Sequence, residues 1–173
     1  MNLTLTYHAI RGGECLCSND DPTYSVSRSH FEAQLNRISM RGPDQPHQLS
    51  LTFDDGNASD VAAAALLKEK GFPGTFFISW GNVGERISKQ EIKTLHREGF
   101  EIGAHGMTHQ YLTDLSQTAL DFEVKESKDR LEQLIGEKVN SFAYPGGRFG
   151  RRVIETVAQA GYTSAYTTIP GLN

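Results

Sequence analysis

The order of apolar segments predicts an α/β fold, a parallel sheet or barrel of about six strands. Two observations carry this. Short runs rich in β-branched or aromatic residues alternate with longer segments of helical periodicity along the 173 residues. Four of the short runs also end in polar, chemistry-bearing residues, at the strand ends where parallel α/β folds collect their functional groups.

The elements follow in order. Leu3 to Ile10 alternates and is rich in Thr, Leu and Tyr, a strand. Arg11 to Tyr24 is turn-rich and predicts a long loop. Ser27 then leads into Phe31, Leu35 and Ile38 at helical spacing, a helix stopped by Gly42-Pro43. Leu49 to Phe53 is a short apolar strand. Ser59 to Lys70 is rich in Ala and Leu, with Gly71 after it as a stop. Gly74 to Ser79 is a strand of the buried type. Ser88 and Glu91 have capping-box spacing and open a helix through Arg97, ended near Gly99. Phe100 to Ala104 is the next strand, and Ser116 to Ile135 one long amphipathic helix closed by Gly136. Val139 to Tyr144 is a strand, Arg151 to Ala160 a helix, and Tyr162 to Thr168 the last strand. There is no repeat, no low-complexity segment and no sign of a second domain, so residues 1–173 are expected to form one domain.

Composition narrows the function. Seventeen basic against twenty-one acidic side chains give a net charge of −4, which offers nothing to nucleic acid or an anionic membrane. No apolar stretch approaches the ~20 residues of a membrane span. The first residues lack a basic region followed by a long apolar one, so the chain as written is expected in the cytoplasm unless a leader was removed. Cys15 and Cys17 lack the second pair that a structural zinc site needs and are expected to be free thiols.

Two segments about fifty residues apart carry the chemistry: Thr52-Phe53-Asp54-Asp55-Gly56 and His105-Gly106-Met107-Thr108-His109. The first ends an apolar strand with adjacent carboxylates, and Gly56 lets the backbone turn so that both reach one site. The second offers two imidazoles at i and i+4, which meet one ion from a helical turn or a compact loop. Asp55, His105 and His109 make a three-ligand set with open positions, the mark of a catalytic metal site rather than a closed structural one. Asp54 remains as general base toward the attacking water. Oxygen and nitrogen ligands without thiolate suit Zn²⁺, and also Ni²⁺, Co²⁺ or Fe²⁺. Ala143-Tyr144-Pro145-Gly146-Gly147 is a strand end with a forced turn, whose Gly146 N–H is placed to meet a developing oxyanion. Trp80, Tyr7, Tyr111 and Tyr144 are candidates for stacking on sugar faces or for the core.

These residues resemble the polysaccharide deacetylases of carbohydrate esterase family 4. That family's first motif, T-F-D-D-G, is complete at Thr52 to Gly56. Its second, H-[ST]-x-x-H, is present as His105 to His109 with Gly106 in place of Ser or Thr. Its third, R-x-P-[YF]-G, is similar to Ala143 to Gly147, with the arginine and the aromatic absent. The late histidine that ordinary members use as general acid is also absent, since no histidine follows Pro145. The opening Leu5-Thr6-Tyr7-His8-Ala9-Ile10 instead resembles the circularly permuted branch, which includes poly-N-acetylglucosamine deacetylases. By that resemblance His8 is the general acid.

The resemblance runs from Leu5 to about Thr168. It implies an irregular (β/α) barrel of six to seven parallel strands. Either the barrel is open or a C-terminal segment lies beyond Asn173. It also implies removal of N-acetyl groups from an N-acetylglucosamine-type glycan, with that glycan as partner. Other readings stay open: hydrolysis of a different non-peptide C–N bond in a small amide or ureide, a degenerate carbohydrate-binding module, or a structural metal site.

Overall fold

The computed structural model describes residues 3–12, 22–40 and 49–169. Cys15, Cys17, the Gly42-Pro43 stop and the last four residues lie outside them. Along the chain run β1 (Leu3–Tyr7), β2 (Ala9–Arg11), β3 (Ser25–Ser27), α1 (Arg28–Ser39), β4 (Leu49–Phe53), α2 (Asp60–Lys70) and β5 (Thr75–Ile78). There follow α3 (Lys89–Arg97), β6 (Glu101–Ala104), α4 (Gln117–Asp121), α5 (Ser127–Ile135), β7 (Ser141–Ala143), α6 (Arg151–Gln159) and β8 (Ser164–Tyr166).

Six strands form one sheet in the order β1-β4-β5-β6-β7-β8, with every pair parallel. The sheet curls into a half-barrel, the incomplete (β/α) barrel that the sequence predicts. Each new strand adds beside the last because an intervening helix carries the chain back over one face. The first and last strands do not pair. They border a cleft of about 850 Å³, lined by Thr6, Tyr7 and His8 on one side and Tyr166 and Thr168 on the other.

Register aligns the strand ends. Tyr7 lies opposite Phe53, Phe53 opposite Phe76, and Ile78 opposite Ala104. The rings form a column inside the core. Tyr7 and Phe53 stack at 5.4 Å, Phe53 and Phe76 at 4.8 Å, and Phe31 of α1 meets Tyr7 and Phe53 edge-on. Fully burying each such side chain contributes about 1.5–3 kcal/mol. The carboxyl ends of β1, β4, β6 and β7 therefore meet at one rim, with the following residues projecting from it.

Local rules account for most helix ends. Ser27 Oγ accepts the His30 N–H. Ser88 and Glu91 form the reciprocal capping box. The helices α2 and α5 stop at Gly71 and Gly136 in the left-handed conformation. Ser59 departs from this pattern: its hydroxyl accepts the Ile10 N–H and ties α2 to β2 instead of capping its own helix.

Three expectations need correction. The strand from Leu3 to Ile10 breaks at His8. Its first part joins the main sheet, and β2 pairs in parallel with β3 in a separate two-stranded sheet. The break is held by Asn57 Nδ2, which donates to the His8 carbonyl at 3.1 Å. The loop from Arg11 to Tyr24 is not loop at its described ends, where Arg11 closes β2 and Pro22–Tyr24 forms a 3₁₀ turn into β3. The helix from Ser116 to Ile135 is not one α-helix, because a π-helical segment, Phe122–Glu126, separates α4 from α5.

Candidate active site

The carboxylate pair sits where β4 ends. The Asp54 N–H makes the last rung to the Tyr7 carbonyl at 2.9 Å. The backbone then turns left-handed twice, with φ of 81° at Asp55 and 73° at Gly56. A Cβ at Gly56 would stand 3.2–3.3 Å from Ile87 and Ile78, so the position needs glycine for space as well as conformation. A left-handed aspartate costs about 1–3 kcal/mol and persists only when its surroundings fix it. They do: Asn82 Nδ2 donates to the Asp55 carbonyl at 2.8 Å, and the Ser79 N–H at 3.4 Å. Asn57 Nδ2 donates to the Asp54 carbonyl as well as to that of His8, and Arg86 donates to Asn57 Oδ1. Adjacent aspartates thereby face one site.

The histidines stand on a compact loop rather than a helical turn. Gly106 and His109 have φ of 78° and 59°. His105 is fully buried and donates from Nδ1 to the Ala143 carbonyl at 2.8 Å. A carbonyl only accepts, so the Nδ1 proton is fixed and Nε2 is turned toward Asp55. His105 Nε2 lies 3.4 Å and His109 Nε2 3.1 Å from the same Asp55 Oδ1. The three ligand atoms fall within 4.8 Å of one another. The His109 side chain is 42% exposed, which leaves the group open to solvent on one side.

The electrostatics follow from this crowding. Burial pushes the Asp55 pKa up, but the two imidazoles outweigh it and hold the carboxyl well below the usual range. Burial alone would lower the His105 pKa, yet Asp55 and Asp54 raise it above its ordinary value. Asp54 is raised by burial, with His105 and then His8 opposing. Asp54 Oδ1 and Asp55 Oδ1 are buried without a hydrogen-bond donor. Two uncompensated carboxylate oxygens beside two imidazole nitrogens, one with its tautomer already set, fit a divalent cation.

The remaining predicted residues divide between the rim, the core and the far side of the molecule. His8 follows β1 at the rim, its ring 5.3 Å from that of Tyr24, and it acts electrostatically on Asp54. Tyr144 is buried against Phe142 and Phe149. Pro145–Gly147 forms a 3₁₀ turn after β7, whose own hydrogen bonds use the Gly147 and Arg148 N–H groups and leave that of Gly146 outside them. Tyr7 is core, its hydroxyl donating to Gln34. Tyr111 is 44% exposed, with its ring against Gly146 and under the Arg148 guanidinium at 4.0 Å. Trp80 points away toward α3 and α5, between Lys89 and Arg130. Asn57, Asn82 and Glu123 also hold the site, none of them marked by a sequence motif. Of these only Asn57, beside Asp54-Asp55-Gly56, stood close enough in the chain to be noticed.

Carboxylates and imidazoles thus gather at the carboxyl-end rim of a half-barrel, where parallel α/β folds collect their functional groups. Comparison with known proteins is specific. The polysaccharide deacetylase family model matches residues 41–165, and the chain belongs to that family, carbohydrate esterase family 4. It is 30% identical over 129 residues to a peptidoglycan-N-acetylglucosamine deacetylase of Bacillus cereus, covering 72% of this chain and 58% of that protein. It is 27% identical over 135 residues to a chitin deacetylase of Arthroderma benhamiae, covering 76% and 35%. The chain thus spans little more than half of the first and about a third of the second. The fold is shared with Streptococcus pyogenes deacetylase PplD in complex with acetate, at TM-score 0.87 and 23% identity over 98% of this chain and 84% of that one. IcaB from Ammonifex degensii superposes at TM-score 0.83 and 24% identity, over 95% and 82%. No helix among the described residues is long and apolar enough to cross a membrane.

Proposed function

We propose that this chain is a metal-dependent N-deacetylase that removes acetyl groups from N-acetylglucosamine-type glycans. The observation that carries the reading is the Asp55 carboxylate oxygen lying 3.1 and 3.4 Å from two imidazole nitrogens beside the buried Asp54. Asp55, His105 and His109 would hold one divalent ion, Zn²⁺ first, with Ni²⁺, Co²⁺ or Fe²⁺ as substitutes. Such an ion supplies Lewis acidity, lowering the pKa of water and polarising the acetamide oxygen. Asp54, adjacent in the chain and free of hydrogen-bond donors at Oδ1, takes the proton of the attacking water. The Gly146 N–H donates to the developing oxyanion. His8 delivers a proton to the departing amine. The family membership and the named deacetylases among its relatives support an acetylated glycan as substrate. The open face at His109 supports a polymer or oligomer rather than a small enclosed molecule.

Acetate release from N-acetylglucosamine oligomers, measured after chelation and again after adding back Zn²⁺ or Co²⁺, tests this reading. Release that stops on chelation and returns with metal is expected. Release indifferent to chelator, or none on any oligomer with metal present, would contradict it.

A further inference from the structure

The loop from His105 to His109 has no regular structure, and its buried polar groups are satisfied from outside it. Its carbonyls are met by backbone: the Trp80 N–H donates to Gly106 at 3.0 Å and the Gly81 N–H to Met107 at 2.7 Å. The His105 N–H continues the sheet to the Ile78 carbonyl at 2.9 Å, while the N–H groups of Met107 and Thr108 are met by one side chain. Glu123 Oε2 accepts from the Met107 N–H at 2.7 Å and the Thr108 N–H at 2.9 Å, and Glu123 Oε1 accepts from the Thr108 hydroxyl at 2.5 Å. These are short, charge-assisted bonds.

Glu123 is 3% exposed, and its carboxylate lies under the loop that carries both histidines. It belongs to the π-helical segment Phe122–Glu126, a local departure that helices often make at functional sites. The segment brings Glu123 and Val124 into the interior while Phe122 is 52% exposed. A Cβ at Gly106 would come 2.9 Å from Glu123 Oε2, so the glycine standing where the family motif has Ser or Thr leaves this space to the carboxylate.

We propose that Glu123 is a positioning residue for the histidine loop, fixing the path from His105 to His109 so that His109 Nε2 faces Asp55. It touches neither substrate nor ligand atoms and acts through the backbone between them. The inference rests on the proposed metal site, and it predicts which residue outside the ligand set governs the affinity of that site. Outer-shell partners of this kind typically alter metal affinity by roughly 10- to 100-fold when removed.

Co²⁺ binding to the metal-free protein tests it, read as a dissociation constant and as the visible absorption band that reports coordination geometry. Glu123→Ala is expected to weaken Co²⁺ by roughly 10- to 100-fold and to shift the band. Glu123→Gln is expected to restore most of both, because its amide oxygen still accepts the two N–H groups and its amide nitrogen donates to Thr108. Glu123→Ala binding Co²⁺ with the wild-type constant and band would overturn the proposal, whatever its melting temperature. If Glu123→Ala does not fold, Thr108→Val removes one of the three bonds and is expected to weaken Co²⁺ several-fold; wild-type affinity there would overturn it equally. A wild-type protein that binds no Co²⁺ removes both this inference and the metal reading beneath it. Binding by the wild type with no response to either variant removes this inference alone.

Discussion

The carboxylate turn after β4 and the histidine loop after β6 face each other across one site, yet only the loop is braced by a charged side chain from a distant helix. The turn is fixed by neutral donors acting on its carbonyls: Asn57 on Asp54, and Asn82 and Ser79 on Asp55. The loop has such donors too, the Trp80 and Gly81 N–H groups on its carbonyls, but adds a buried carboxylate acting on the Met107 and Thr108 N–H groups. The turn is shaped by the sheet it terminates, since Asp54 still makes a rung to β1 and Ser79 directly follows β5. The loop also leans on the backbone after β5, but its Met107 and Thr108 N–H groups depend on a helical residue sixteen and fifteen positions further along the chain. A strand end spells out its own turn in local sequence, whereas a loop braced by a distant side chain shows its ligands but not its path.

The variant that divides the two regions most sharply is Asp54→Asn. It leaves the proposed ligands untouched, so metal content should match the wild type while kcat for acetate release falls by about 10²- to 10⁴-fold, the range for a lost general base. Full turnover by this variant on every accepted substrate would remove Asp54 from its role. Gly56→Ala strikes the turn itself. It places a Cβ against Ile78 and Ile87 at a φ of 73°, and should cost about 1–3 kcal/mol in denaturant unfolding. An unchanged midpoint would show that the turn has room which the geometry denies.

Acidity separates the regions differently. The raised His105 pKa means that in the metal-free protein a proton competes for the imidazole already above its ordinary value of 6.5. Metal affinity should therefore fall as pH is lowered, with the decline beginning above 6.5. A titration showing affinity constant from pH 8 down to about 5 would contradict this sign. The smallest expected effect belongs to Asn82→Ala, which takes one neutral donor from the Asp55 carbonyl and leaves the Ser79 N–H in place. It should cost about 0.5–1.5 kcal/mol in stability. A loss as large as that of Gly56→Ala would mean that Asn82 alone holds the turn.

What sequence made legible follows the same division. Leu49 to Phe53 followed by Asp54-Asp55-Gly56 announces a buried strand and its turn, and both stand where expected. The break at His8 is hidden because Thr6-Tyr7-His8-Ala9 keeps the alternation of a continuous strand while the chain passes from one sheet to another. The π segment was hidden because Leu120, Val124 and Leu131 keep an apolar stripe whether or not the helix is wound evenly. Glu123 was hidden most completely: between Phe122 and Val124 it reads as one more charge on an amphipathic face, and only the three-dimensional path of the loop gives it partners. The third segment lies between these cases. Pro145-Gly146 announces a turn, but Tyr111 lying over Gly146, where the family motif has an aromatic after proline, follows only from the fold.

Binding of one divalent ion by Asp55, His105 and His109 underlies every role proposed above, and calorimetric titration of the chelated protein with Zn²⁺ measures it. One ion per chain is expected, lost in Asp55→Ala, His105→Ala and His109→Ala and kept in Asp54→Asn. Binding that survives in all three ligand variants, or a wild-type chain that takes up no ion, would contradict it.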